Sequence, residues 1–380
     1  MRFFGISSIA SVLLLAVSTT QAATVCTVKT SSSGDDSVSI NAAFAACKNG
    51  GTVVFPAGAT FNMKSVVSAT GLSNVKVEFG STVNLPAYNT AFESAIAYFY
   101  LAGDKINFSG KGTFYGNGQA WYNAVNRNAP VVFKPKATNS YFGGFTIKQA
   151  PRAHFSINGC SNTIFENLTI NTVSSKASYP AKNTDAFDVS GSTGITIRNS
   201  NIVNGDDCIA VNGGVSGLTV SGLTCTGSHG FSVGSLGKDG KTDVVSNLNF
   251  LNNKCINCQN GVRVKTWPGG KGSVTGVKFD NISLQNVDNP IIITTHYCDN
   301  EKSSSCNSAS TSLSISGVTL NNIYGTVSST AKEPIVNINC STGSPCKSVT
   351  LTNINVTPAS NTPKNICTNL SGSSSISYCK

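Results

Sequence analysis

The stretch NTDAFDVSGSTGITIRNSNIVNGDDCIAVN, Asn183 to Asn212, contains the pattern that decides the fold. Within it, Ile195-Thr196-Ile197-Arg198-Asn199 alternates apolar and polar side chains and then stops on Asn, which reads as a short half-buried strand closed by a turn residue. The unit recurs at Thr163 to Leu168, Leu218 to Leu223, Leu248 to Asn252, Val277 to Ile282, Leu313 to Val318 and Val349 to Ile354. Its Asn or Gly falls at 167, 199, 222, 252, 281, 317 and 353, spacings of 23 to 36 residues. Units of that length, made of short strands without a helical period, predict a solenoid. The expected fold is all-β, a single right-handed parallel β-helix. Ile, Val, Leu and Phe should stack inward coil on coil, with Asn amides laddered inside the turns. A propeller needs four strands per repeat and a longer period; a β-sandwich is the other alternative.

Working outward from the repeat, Ser37 to Cys47 is the one convincing helix, with Ile40, Ala43, Phe44 and Cys47 on one face, placed to cover the open end of a solenoid. Ahead of it, Arg2, the apolar run Ile6 to Val17 and Thr20-Gln21-Ala22 read as a secretory signal over residues 1–22, leaving one catalytic domain over 23–380. The apolar run is too short to span a membrane. Only 12% of residues are charged, which suits an extracellular β protein. Loss of Arg2 with the signal leaves 26 basic and 17 acidic residues, an excess that favours polyanions. Nucleic acid is a poor candidate, because no basic run is interleaved with aromatics and no helix-turn-helix or zinc-finger spacing occurs.

Thirteen cysteines in a secreted chain predict disulfides with at least one thiol left over. Sequence-local pairings join Cys26 to Cys47, Cys208 to Cys225, Cys298 to Cys306, Cys340 to Cys346 and Cys367 to Cys379. Cys255 and Cys258 lack a partner pair and a nearby His, so they read as a strained disulfide or buried thiols rather than a metal site. Glycosylation triplets begin at Asn107, Asn167, Asn281, Asn339, Asn355 and Asn369.

A solenoid brings residues one coil apart to about 4.8 Å, so Asp185 and the pair Asp206-Asp207 share a surface. Hydrolysis of a sugar acetal needs such a set, one carboxyl to protonate the leaving oxygen and another to deprotonate water. Three carboxylates this close cannot all ionise freely, and repulsion should raise at least one pKa. Ser228-His229-Gly230 lies one coil later and Arg263-Val264-Lys265 one coil beyond that. In the latter, alternation sends both cations to one face while Val264 points inward. Two cations beside the acids suit a substrate that is itself a carboxylate. Asp-Asp alone would read as a solvated turn; here it runs straight into the apolar strand Cys208-Ile209-Ala210-Val211.

NTD at 183–185, GDD at 205–207, SHG at 228–230 and RVK at 263–265, with GKGTFYGNG at 110–118 upstream, resemble the polygalacturonases of fungal origin in order and spacing. The resemblance implies metal-free hydrolysis of α-1,4 bonds in polygalacturonate, with inversion and without a cofactor. It implies Asp206 as general acid, Asp185 and Asp207 holding and activating the water, and His229 tuning the acid. Arg263 and Lys265 would bind the carboxylate on the leaving side, Tyr297 would pack on that sugar, and Asn183 would brace the turn at the substrate site. Ser228 stands where many members have Gly, and Val264 replaces Ile. Candidate walls at Trp121 to Lys136, Lys238 to Asp243, Trp267 to Gly270 and Cys298 to Cys306 favour attack from a chain end by a secreted monomer. The competing readings are an endo-polygalacturonase, a rhamnogalacturonan or xylogalacturonan hydrolase, a calcium-dependent pectate lyase, and a non-catalytic glycan-binding solenoid.

Overall fold

The computed structural model describes Met1, residues 24–299 and residues 310–380. The proposed signal therefore lies almost wholly outside the described residues. Parallel strands stack into a β-helix. One face is an eleven-stranded sheet with one strand per coil, from Val67–Ser73 to Ile366–Thr368, and the remaining strands form the other faces. Register is held by inward columns such as Phe133, Phe155, Phe187, Ile209, Phe231, Val262 and Ile291. A one-residue slip would turn each column to solvent, which is why apolar alternation fixes the stacking. Phe155 and Phe187 stack at 5.2 Å between centroids, and Phe142 and Phe165 likewise. Burying each such ring stabilises by roughly 1.5–3 kcal/mol.

The recurring Asn or Gly is a left-handed turn position. Residues 167, 199, 222, 252, 281 and 353 all have φ between 52° and 65°, a region where most side chains are strained. The series slips once. Val277 pairs with Val318 and Ile282 with Ile323, so the equivalent of Asn281 is Asn322, 41 residues on, while Gly317 follows Gly276 in a second left-handed column. The Asn ladder exists but runs along the outside: Asn281 Nδ2 donates to Asn252 Oδ1 at 2.6 Å, and Asn322 Nδ2 to Asn281 Oδ1 at 3.0 Å.

The N-terminal helix is Asp36–Cys47, capped by Asp35, with Ile40, Ala43, Phe44 and Cys47 buried against the first coil. A second helix, Gly118–Asn123, was not expected from the sequence; six residues are too few for a periodic signal. Disulfides join Cys26–Cys47, Cys208–Cys225, Cys340–Cys346 and Cys367–Cys379, as expected. Cys298 is disulfide-bonded; Cys306 lies outside the described residues. Cys160, Cys255 and Cys258 are buried thiols. Among the described residues no helix is long and apolar enough to cross a membrane.

Candidate active site

Six neighbouring strands of the eleven-stranded sheet form the floor of a cleft: Phe155–Asn158, Phe187–Ser190, Ile209–Val211, Phe231–Leu236, Asn260–Thr266 and Asn289–Thr294. Phe187 and Val189 point inward, so Asp188 between them points out, in register with Ala210, Ser232 and Arg263 on successive coils. The turns leading into these strands carry the acids: Ala186 N–H donates to Asp207 C=O, which sets Asp185 beside Asp207.

The turn at 204–207 is built tightly. Asn204 is buried, and its Nδ2 lies 2.8 Å from Thr184 C=O and 3.0–3.1 Å from the carbonyls of Asp207 and Asp206. Gly205 admits no side chain, since a Cβ there would sit 2.2 Å from Ala181 C=O. One coil on, Ser228 Oγ donates to Asp206 C=O at 2.9 Å and accepts from Gly230 N–H. The sequence departure at Ser228 thus braces the backbone of Asp206 from beneath.

Asp206 and Asp207 face different partners. Asp206 Oδ1 accepts from Asp207 N–H at 2.8 Å and lies 3.1 Å from His229 Nδ1, while Oδ2 accepts from Asn183 N–H at 3.1 Å. Asp207 is almost fully buried: Arg263 Nη2 reaches Oδ1 at 2.7 Å, Lys265 Nζ reaches Oδ2 at 2.9 Å, and Ser232 Oγ donates to Oδ1 at 2.8 Å. Arg263 Nε also donates to Ser232 Oγ. The two cations do share a face, with Val264 buried between them, but both are already engaged with an acid two coils earlier. Lys265 Nζ also lies 5.1 Å from the Tyr297 ring, which Trp267 backs edge-on at 5.3 Å.

These surroundings separate the acids. Burial, and then the charges of Asp188, Asp206 and Asp207, raise Asp185 well above the usual carboxylate range. Burial, reinforced by Asp207 and Asp206, raises Asp188 to about 7, with Arg152 and Lys265 pulling the other way. For Asp206 burial also acts upward, but the hydrogen bond and charge of His229 and the Asp207 N–H outweigh it, and the group sits below its ordinary value. Burial, reinforced by the neighbouring acids, therefore favours the protonated form at Asp185 and Asp188, whereas His229 favours the charged form of the residue expected to be the acid.

Asn183, Asp185, Asp206, Asp207, His229, Arg263, Lys265 and Tyr297 all line one cavity of ≈ 450 Å³. Asp188 and Gln259 line it too and were missed. Strand alternation after Asp185 would have placed Asp188 outward. Asp206, Asp207 and His229 have ligand atoms within 4.8 Å of one another, the spacing of a cation site. Both oxygens of Asp207 are taken by Arg263 and Lys265, so the cluster offers a hard cation little net negative charge. His154, two residues ahead of its strand's first outward position, is fully buried: its ring bonds Asp185 C=O at 2.9 Å and Thr172 Oγ1 at 2.8 Å, and burial lowers it to about 4.

On the N-terminal side of the acids three connections brace one another. Tyr88 packs edge-on against Trp121 at 4.8 Å, Asn126 Nδ2 donates to Glu93 Oε1 at 2.7 Å, and Gln119 Oε1 accepts from Ser174 Oγ and Ser175 N–H. Of the expected wall Trp121 to Lys136, only the part before Val131 belongs to this buttress, because Val131–Thr138 is a strand of the eleven-stranded sheet.

Residues 45–377 match the family described as Glycosyl hydrolases family 28. The chain is 47% identical over 377 residues to exopolygalacturonase rpg16 of Rhizopus delemar, covering 98% of this chain and 97% of that protein. It is 45% identical to exopolygalacturonase rpg15 of the same fungus, covering 100% and 99%. Among solved structures, the endo-xylogalacturonan hydrolase of Aspergillus tubingensis superposes with a TM-score of 0.82 at 27% identity, over 92% of this chain and 96% of that one.

Proposed function

Because the chain belongs to glycosyl hydrolases family 28, we propose that it is a secreted enzyme hydrolysing the α-1,4 bonds of polygalacturonate with inversion, one residue at a time from the non-reducing end. The observation that carries this reading is the one cleft in which five carboxylates, His229, Arg263 and Lys265 converge. The exo mode is supported by the names of the Rhizopus relatives and by the braced connections on one side of the acids.

In this reading Asp206 protonates the leaving oxygen. Its low proton affinity in the open cleft is an effect of His229, 3.1 Å away. When a substrate carboxylate arrives and water leaves, added negative charge and desolvation raise the proton affinity of Asp206, so that it carries the proton it delivers. Asp207, clasped by two cations, takes the water's proton, and Asp185 beside it helps to hold that water. Arg263 retains N–H donors beyond those used by Asp207 and Ser232, and Lys265 retains two of its three. These hold the carboxylate of the sugar on the leaving side, against Tyr297. The chain acts as a monomer, needs no metal, and does not bind nucleic acid or membrane.

The test follows the viscosity of a polygalacturonate solution against reducing ends released. Monogalacturonate accumulating while viscosity persists is the expected result. Viscosity halved after a small fraction of cuts would make the enzyme endo-acting, and ultraviolet-absorbing unsaturated products that vanish with a chelator would make it a lyase. The xylogalacturonan hydrolase among its structural relatives makes xylose-decorated substrate the second one to assay.

A further inference from the structure

We propose that Arg152 is a specificity-determining residue that anchors the carboxylate of the non-reducing terminal galacturonate; the inference rests on the exo reading above. Arg152 is exposed, on the turn entering the strand Phe155–Asn158. Extending the register of Phe155 with Phe187 and Ile209 backward places Arg152 in one column with Thr184 and Asp206, two coils before the acid. At about 4.8 Å per coil the guanidinium stem starts ~10 Å from Asp206, on the side opposite Arg263. Asp188 feels the positive charge of Arg152 from one direction and of Lys265 from the other, so this guanidinium reaches the cleft's field.

A cation suits that end of the site. Arg263 and Lys265 are bound to Asp207 and turn their remaining donors to the sugar on the leaving side, so neither serves the terminal sugar on the other side of Asp185, Asp188 and Asp206. Arg152 supplies a positive charge on the side of these acids away from Arg263 and Lys265. Arg152 has one side-chain bond among the described residues, Nη1 to Ala129 C=O at 3.5 Å, which is long for a hydrogen bond and leaves its fork available. Ala129 follows Asn126 and Asn128, which bond Glu93 across the buttress. The same braced connections therefore also hold the guanidinium. A planar fork pairs with a carboxylate two-pronged, and a neutral ester cannot replace it.

The experiment compares trigalacturonate with its analogue methyl-esterified only on the non-reducing terminal residue, using wild type, Arg152→Gln and Arg152→Lys. The wild type should prefer the free acid; Arg152→Gln should lose about 10- to 100-fold in kcat/KM on the free acid, mostly through KM, and be nearly unchanged on the ester. Arg152→Lys should recover part of the loss. Equal losses on both substrates would show a structural role and overturn the proposal, as would an unaltered Arg152→Gln. A wild type that is inactive or cuts internally overturns the exo reading and the anchor with it, whereas an exo-acting wild type with an indifferent Arg152→Gln overturns the anchor alone.

Discussion

At Asp206, replacing the carboxyl by an amide removes the transferable proton and keeps the shape. Asp206→Asn should lower kcat by about 10² or more, with little change in Tm, since the group is partly exposed and its partners are a histidine and backbone N–H groups. Asp207→Asn should also abolish activity but destabilise by about 3–5 kcal/mol, because it strands Arg263 and Lys265 without their counter-charge in a buried setting. Asp185→Asn imitates the protonated form that burial favours, and should cost the least activity of the three; a loss equal to that of Asp206→Asn would show Asp185 acting ionised. Asp188 sets a pH dependence. Its proton affinity rises from 3.8 to about 7 in the fold, so the native state keeps a proton that the unfolded chain releases. Its contribution to stability is full below about pH 4 and is lost as pH climbs toward 7. Melting curves should therefore show Asp188→Asn gaining on wild type between pH 4 and 7; parallel curves would rule the effect out. The acids were legible from sequence because one coil separates them, whereas the clasp on Asp207 spans two coils and is visible only once the strands are stacked.

The N-terminal helix is tied to the first coil by two adjacent acids. Asp35 caps it and also accepts from Lys64 N–H at 2.8 Å and Ser65 Oγ at 2.7 Å; Asp36 accepts from Ser31 and Asn62 N–H groups. Burial works against the charge of Asp35, but the donors of Ser65, Lys64 and Ser37 overcome it and hold the pKa at about 2. That stability is present above the unfolded value of 3.8 and is lost as pH falls toward 2. Asp35→Ala should cost about 1–2 kcal/mol near neutrality and flatten the acid limb of the stability curve; an unchanged limb would assign it to other carboxylates. Helix and strand units were readable because apolar periodicity is local. The slip at Gly317 had a different cause: the long connection between Asn289–Thr294 and Ser314–Val327 stretches that coil, and two left-handed columns five residues apart look alike when only one is counted.

Across the whole molecule, the hydrogen bonds of the acceptor asparagines decide which are free for modification. Asn107, Asn167 and Asn355 are exposed, while Asn281 belongs to the amide ladder and Asn369 Nδ2 donates to Cys340 C=O. Peptide mapping of protein from a eukaryotic secretory host should find glycans at the first three; occupancy at Asn281 would mean the ladder is dispensable. The braced wall beside Arg152 has a kinetic consequence as well. In the exo mode proposed above, the shortened polymer leaves freely on the leaving side while the cleaved monosaccharide stays behind on the side of Arg152 until the polymer has gone. Departure is then ordered, polymer first and galacturonic acid second, so the free monosaccharide should act as a competitive product inhibitor and the enzyme should release its chain after every cut.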